Sequence, residues 1–390
     1  MRRILPLLTM AAATLLAGCG GGDNGYEKFT AAVFGDVPYG TSPTDTTQFQ
    51  QMPAFVKWIN DDASVSLALH GGDLHSGKEY CTQAFDQSLY DIFKTLKAPM
   101  VYTPGDNEWA DCHKAGEGGG TYNAATGSIN YVTDASGKPV DYASGDPVAN
   151  LAMVRSMFFP TAGQTVGGAM SVHSQAQEYD RAFPTDAQFV ENVWFERGGV
   201  LIVAVNIPGG SNNGTDPWYG APSMGAAQQQ EVANRTGATQ RWLKAAFDRA
   251  ELDKVVAVAI LTQADMWDFD GKAASHIAGY KPYLDTIAAR AASFGKPVLL
   301  LNGDSHTYRS DNPMVKGAAC VTESGAATVA CSSDAYTGQP YYNVPNFHRV
   351  IWHGSTLPME WLKLTVDGSA NAAASATAFG PFSWQRVTRN

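Results

Sequence analysis

The sequence predicts an α/β protein in which two β-sheets pack together and carry helices on their outer faces. Three observations lead there. Short apolar or β-branched runs recur along the chain, most of them ending in Gly and Asp. Segments of helical period lie between these runs, the alternation expected of α/β architecture. Two later strand signals, around 193–205 and 346–367, point to a second sheet packed against the first.

In chain order, the first run is Phe29–Phe34, followed by Gly35-Asp36. Val65–His70 precedes Gly71-Gly72-Asp73, and Pro99–Tyr102 precedes Gly105-Asp106. Lys254–Leu261 leads to Gln263 and Asp265, and Pro297–Leu301 leads to Gly303-Asp304-Ser305-His306. Runs of this length and flank read as buried strands. The clearest helix is Ala238–Leu252, where Trp242, Leu243, Ala246, Phe247 and Ala250 share one face. Residues 46–61, 83–97, 147–158 and 276–294 are further helices. Residues 114–146, 160–188 and 308–345 read as surface excursions with little periodicity, of the kind that form lids or decoration.

Composition narrows the function classes. Only 16% of the 390 residues are charged, against about 25% in an average globular protein. Aromatic content of 11% excludes disorder. With 27 basic against 37 acidic side chains and no Lys/Arg cluster, nucleic-acid binding lacks an electrostatic basis. At the N-terminus, Arg2 and Arg3 precede an apolar run from Ile4 to Ala17, too short to span a bilayer. This is the pattern of a secretory signal, residues 1–18. Its end, Leu16-Ala17-Gly18-Cys19, resembles the bacterial lipoprotein box, which implies cleavage before Cys19 and its acylation. Residues 19–28 form a Gly-rich tether, and 29–390 a single domain. Gly20, in place of the usual inner-membrane retention Asp, points to the outer membrane. Cleavage removes Arg2 and Arg3, moving the net charge from −10 to −12. Four of the five cysteines are then left for an oxidising compartment. Cys81 with Cys112 and Cys320 with Cys331 are the natural pairs, other pairings staying open from sequence.

Five strand ends thus deliver Asp36, Asp73, Asp106, Gln263 or Asp265, and Asp304 with His306. In open α/β sheets ligands bind outside the carboxyl ends of the strands. Carboxylates gathered in one crevice repel each other, and a divalent cation removes that cost. The constellation reads as a metal site.

The order Gly35-Asp36, Gly72-Asp73, Gly105-Asp106-Asn107-Glu108 and Gly303-Asp304-Ser305-His306 resembles the calcineurin-like metallophosphoesterases. The likeness covers about residues 29–367. It implies a four-layer αββα sandwich of two mixed sheets, and hydrolysis of phosphate mono- or diesters at a one- or two-metal centre. The sequence departs from the family pattern at several ligands. Val37-Pro38 replaces the first motif's His, with Tyr39 or His75 as substitutes, and Asn107 stands where the family has its acid/base His. Gln263 and Asp304 also replace histidines. The combination of Gly-Asp-Asn-Glu-Trp with Gly-Asp-Ser-His is similar to a bacterial branch of that superfamily, which brings Trp109 and Cys112 into the pattern.

The resemblance implies a first metal on Asp36, Asp73 and His306, and a second on Asp73, Asp106, Asp304 and Gln263. Exchanging His for Asp makes the set oxygen-rich, favouring Mn²⁺, Mg²⁺ or Ca²⁺ over Zn²⁺, with Fe or Zn as the alternative ions. An amide such as Asn107 cannot give a proton to a leaving alkoxide; His70, His75 and His113 are the candidates for that step. Arg309 and Arg235 are candidate phosphate clamps. The expected partner is a phosphorylated small molecule or lipid, with membrane contact through the lipid anchor alone. A catalytically silent, cation- or ligand-binding envelope lipoprotein of the same fold is the second reading.

Overall fold

The computed structural model describes residues 26–268, 274–322, 328–330, 342–355 and 359–389. Cys19 and the N-terminal segment assigned to export, and Cys331, lie outside them. The strands, in chain order, are β1 (Phe29–Phe34), β2 (Val65–His70), β3 (Pro99–Tyr102), β4 (Gly120–Asn123), β5 (Ser128–Tyr131) and β6 (Val166–Gly167). Then come β7 (His173–Ser174), β8 (Val193–Arg197), β9 (Val200–Ala204), β10 (Ala257–Leu261), β11 (Val298–Asn302) and β12 (Arg309–Asp311). The last are β13 (Ala319–Thr322), β14 (Thr328–Ala330), β15 (Phe347–Ile351), β16 (Glu360–Val366), β17 (Ala378–Phe379) and β18 (Phe382–Thr388).

They form a seven-stranded sheet, β17-β18-β16-β1-β2-β3-β6, and a nine-stranded sheet, β14-β13-β12-β15-β11-β10-β9-β8-β7. Both are mixed. β1, β2 and β3 run parallel at the centre of the first, and β9, β10, β11 and β15 run parallel in the second. The five Gly/Asp strands therefore divide between two sheets, three in one and two in the other.

Side-chain alternation explains the layering. Ala31 and Val33 of β1 and Leu67 and Leu69 of β2 pack against Ile202, Ala259, Leu299 and Leu301 of the second sheet. The intervening Ala32, Phe34 and Ala68 face Phe55, Val56, Leu89 and Phe93, which come from the helices Met52–Asp61 and Gln83–Phe93. On the far side, Leu201, Val203, Val258, Ile260 and Leu300 meet Trp242, Leu243, Phe247, Leu284 and Ile287 of the helices Ala226–Leu252 and Lys281–Phe294. Three apolar interfaces make four layers, helix, sheet, sheet, helix. The central strands are buried on both faces, so they read as continuous apolar runs instead of alternating ones.

Several boundaries differ from expectation. The helix read as Ala238–Leu252 starts at Ala226; its first turns are rich in Gln and Glu, and only the later part carries a full apolar face. The strand expected from Lys254 begins at Ala257, because Lys254 takes a left-handed conformation after the helix. Residues 346–367 hold two strands in different sheets, β15 and β16. The excursions contain structure: β4 and β5 form a hairpin, and β6 and β7 each close a sheet edge.

Candidate metal centre

Register brings the strand ends together. Phe34 pairs with His70 and His70 with Tyr102 in the first sheet; Ala204 pairs with Leu261, Leu261 with Leu301 and Asn302 with Ile351 in the second. Aligned C-termini release their following turns along one edge shared by both sheets. Backbone bonds continue past the strands, from Asp36 N to Gly72 O (3.0 Å) and from Gly303 N to Gln263 O (3.0 Å). Four residues of this edge, Asp36, Asp73, Asp304 and His306, have positive φ (52°, 58°, 73° and 60°). Such conformations cost energy in non-glycine residues and concentrate at functional sites.

Ligand atoms of Asp36, Asp73 and His306 lie within 4.8 Å of one another. His306 Nε2 stands 3.4 Å from Asp36 Oδ1 and 3.2 Å from the Tyr39 hydroxyl. That hydroxyl gives its one proton to Asp73 Oδ2 (2.5 Å) and accepts from Asn107 Nδ2 (3.0 Å). Tyr39, not His75, occupies the place beside Asp73. Asp73 Oδ1 receives the backbone N–H of Asp106 (3.1 Å), joining the second turn to the third. Gln263 Nε2 donates to Asp73 Oδ2 (3.2 Å) and Asp106 Oδ1 (3.0 Å), while its oxygen accepts from Gly209 N. Asp304 N donates to Asp36 Oδ1 and its Oδ2 accepts from Asp265 N, each at 3.1 Å. A side chain on Gly209 would collide with both Asp106 and Asp304, so the loop after β9 packs its backbone directly on these two carboxylates.

Asp36, Asp73 and Asp106 are buried, and among the described residues no lysine or arginine pairs with them or with Asp304. Burial, followed by the Asp106 and Asp36 carboxylates, pushes the Asp73 and Asp304 carboxyls well above the ordinary range. Burial and then the Asp73 and Asp36 charges likewise raise Tyr39 and keep it a phenol. For His306, burial works downward, but the bond to Asp36 and that carboxylate's charge outweigh it and raise the imidazole. The donor set is carboxylate, phenol, amide and a single imidazole, hard and oxygen-rich, and it fits Mg²⁺, Mn²⁺ or Ca²⁺.

No family model and no curated protein matches the chain. Among solved structures, a purple acid phosphatase from yellow lupin (Lupinus luteus) seeds is 13% identical, with a TM-score of 0.38 over 94% of this chain and 54% of that one. The chain thus spans about half the length of that protein.

Other predicted residues are placed elsewhere. His70 points to the outer helices, among Phe34, Phe93 and Tyr102, where burial pushes it down to about 3. His113 accepts from Tyr219 N (2.9 Å), and burial lowers it to about 4. The His75 ring meets Phe85 edge-on and has Glu117 and Cys81 in reach, not the aspartates. Asp265 contributes its backbone N–H, while its carboxylate pairs with buried Arg349 (2.5 Å). Arg309 opens β12 and acts on Asp265 electrostatically. Arg235 is no phosphate clamp: it is fully buried, bound to Glu231 (2.7 Å) and Asn212.

Three contributors carried no assigned role in the sequence. Trp352, directly after β15, donates from Nε1 to Asp36 Oδ2 (2.7 Å) and lays its ring against Gly35, Gly71 and Gly303. Its signal was its position after a parallel strand. Glu108 accepts from Asp73 N (3.2 Å), Gly105 N (2.7 Å) and the Tyr102 hydroxyl (2.6 Å), and burial raises it to about 7. Gly209 is the third; its run Asn206–Gly214, rich in Gly, Ser and Asn after a strand, fits a turn and a pocket lining equally well, and does not single out the contact with Asp106.

Proposed function

We propose that the chain is a metal-dependent hydrolase of phosphate mono- or diesters, exported and held to the bacterial envelope through Cys19. The observation that carries this is the convergence of Asp36, Asp73 and His306 on one point, with Asp106 and Asp304 adjoining and, among the described residues, no lysine or arginine paired with any of these carboxylates. Asp36, Asp73 and His306 would hold one cation; Asp73, Asp106, Asp304 and Gln263 form the second candidate set. A divalent cation there supplies Lewis-acid polarisation of a phosphoryl oxygen and acidifies water. To ligate, Gln263 must turn its oxygen from Gly209 to the carboxylates.

The chain's own residues set what surrounds that chemistry. Tyr39 and Asn107 orient Asp73, and Trp352 orients Asp36. Asn107 Nδ2 is engaged by Tyr39, Asp73 and the His75 carbonyl (2.8 Å) and has no proton to release to a leaving group. His306, with 36% of its side chain exposed, is the member of the first set that reaches solvent.

The test is hydrolysis of p-nitrophenyl phosphate and bis-p-nitrophenyl phosphate by the refolded mature chain with Mn²⁺. We expect turnover of one ester, and a fall of about 100-fold or more in Asp73→Asn. Equal rates in both proteins would overturn the reading. Cation binding without turnover of either ester would favour the silent binding protein instead. Export is tested separately: globomycin treatment should leave Cys19 uncleaved, and Cys19→Ser should abolish labelling by a palmitate analogue.

A further inference from the structure

A second group of ligand-type side chains lies around the Cys81–Cys112 disulfide and has no part in the proposed reaction. Ligand atoms of His75, Cys81 and Glu117 fall within 4.8 Å of one another, as do those of Cys81, Cys112 and Asp141. Cys81 belongs to both sets. All five residues are buried, four of them with at most 1% of their surface exposed and His75 with none.

Three of these side chains have an orphaned atom. His75 Nε2, Glu117 Oε2 and Asp141 Oδ2 are buried without a hydrogen-bond partner. Leaving a buried polar atom unmatched is unfavourable, and native structures contain few such atoms. The histidine has the orientation of a ligand: Nδ1 donates to the Ser76 carbonyl (3.1 Å), which leaves the Nε2 lone pair directed inward. A backbone carbonyl on the far nitrogen is the usual support for a metal-binding imidazole. Sulfur, imidazole and carboxylate together suit a thiophilic, tetrahedral ion such as Zn²⁺, unlike the oxygen-rich set at the strand ends.

We propose that His75, Cys81 and Glu117 form a latent zinc site that opens when the Cys81–Cys112 disulfide is reduced, with the freed Cys112 thiol, bonded to Cys81 in the oxidised chain, turning in as the fourth ligand. A dithiol reductant breaks the S–S bond, supplies two electrons and two protons, and becomes a disulfide itself. Binding of the ion then displaces both thiol protons. The site would report on the strand-end centre through Asn107, whose carbonyl oxygen touches both sulfurs (3.2 and 3.5 Å) and whose amide bonds Asp73.

The probe is Co²⁺, added to the mature chain before and after reduction with dithiothreitol and removal of the reductant. Reduced protein should show thiolate-to-cobalt charge transfer and intense tetrahedral d–d bands, displaced by one equivalent of Zn²⁺. Oxidised protein should show neither. His75→Gln and Glu117→Gln, reduced in the same way, should weaken Co²⁺ binding at least about tenfold. Cys112→Ser, which frees the Cys81 thiol without reductant, should bind with a single-thiolate band. Absence of thiolate bands, or full binding in both His75→Gln and Glu117→Gln, would overturn the proposal. So would loss of near-UV circular dichroism on reduction that Zn²⁺ fails to restore.

Discussion

Trp352 joins three strand-end turns with one side chain, donating to Asp36 and covering Gly35, Gly71 and Gly303. Trp352→Phe keeps the covering ring and removes the donor, leaving Asp36 Oδ2 short of a partner. The expected loss is about 1–3 kcal/mol, read as a lower urea midpoint of the metal-free chain. Gly71→Ala places a methyl group inside the indole and should leave no soluble folded protein. The carboxylates make a pH prediction. Asp73 and Asp304 titrate above their unfolded range, so their contribution to stability is present at low pH and lost as pH rises through the folded values. A divalent cation replaces the lost protons. The rise in Tm caused by Mn²⁺ should therefore be small at pH 5 and larger at pH 8; equal shifts would contradict the linkage.

At the scale of elements, the Ala226–Leu252 helix has a task beyond packing. Its Arg235 grips Asn212 in a run, Gly210 to Asn213, where every φ is positive, between 55° and 62°. That run follows Gly209, whose backbone seats Asp106 and Asp304. Arg235→Met removes the charge that pairs with Glu231 and one of the two donors to Asn212 Oδ1, and should cost about 3–5 kcal/mol. Differential scanning calorimetry would measure it, and the variant's Mn²⁺ affinity should fall as the loop relaxes.

Strand existence and the Gly-Asp turns were legible in sequence because strands buried on both faces leave uninterrupted apolar runs. The sheet to which each strand belongs was not, since β1 and β10 present the same local pattern and only long-range pairing separates them. Asp36, Asp73, Asp106 and Asp304 were visible for the same reason, each standing just after such a run. Arg235 misled because a lone arginine on a helix shows nothing of the loop it meets. Trp352 and Gly209 acquire their roles only when the two sheets dock.

For the whole molecule, buried neutral histidines limit stability in acid. Burial lowers His70 to about 3 and His348 to about 4. Both lie below the unfolded value of about 6.5, so the unfolded chain binds the extra protons and stability falls as pH drops below that value. Each contributes a slope of up to about 1.4 kcal/mol per pH unit. Between pH 7 and 5, His70→Phe should lose about 2 kcal/mol less than the natural chain in urea unfolding. A difference unchanged by the substitution would show that His70 does not govern the acid limb.

The direction of β1 has a geometric consequence. Phe29 enters at the edge of the sheet opposite the one where Asp36 emerges, and six strand residues span roughly 20 Å. On the proposed Cys19 anchor, the tether arrives at the membrane-proximal end, and the aspartates open toward the far side. β16 runs back against β1 and β18 reverses again, so the chain leaves the sheet at Thr388, beside Glu360, at the same end as the carboxylates. Surface immobilisation through the N-terminus should therefore keep the crevice open to solution, whereas a bulky C-terminal fusion would stand at its rim.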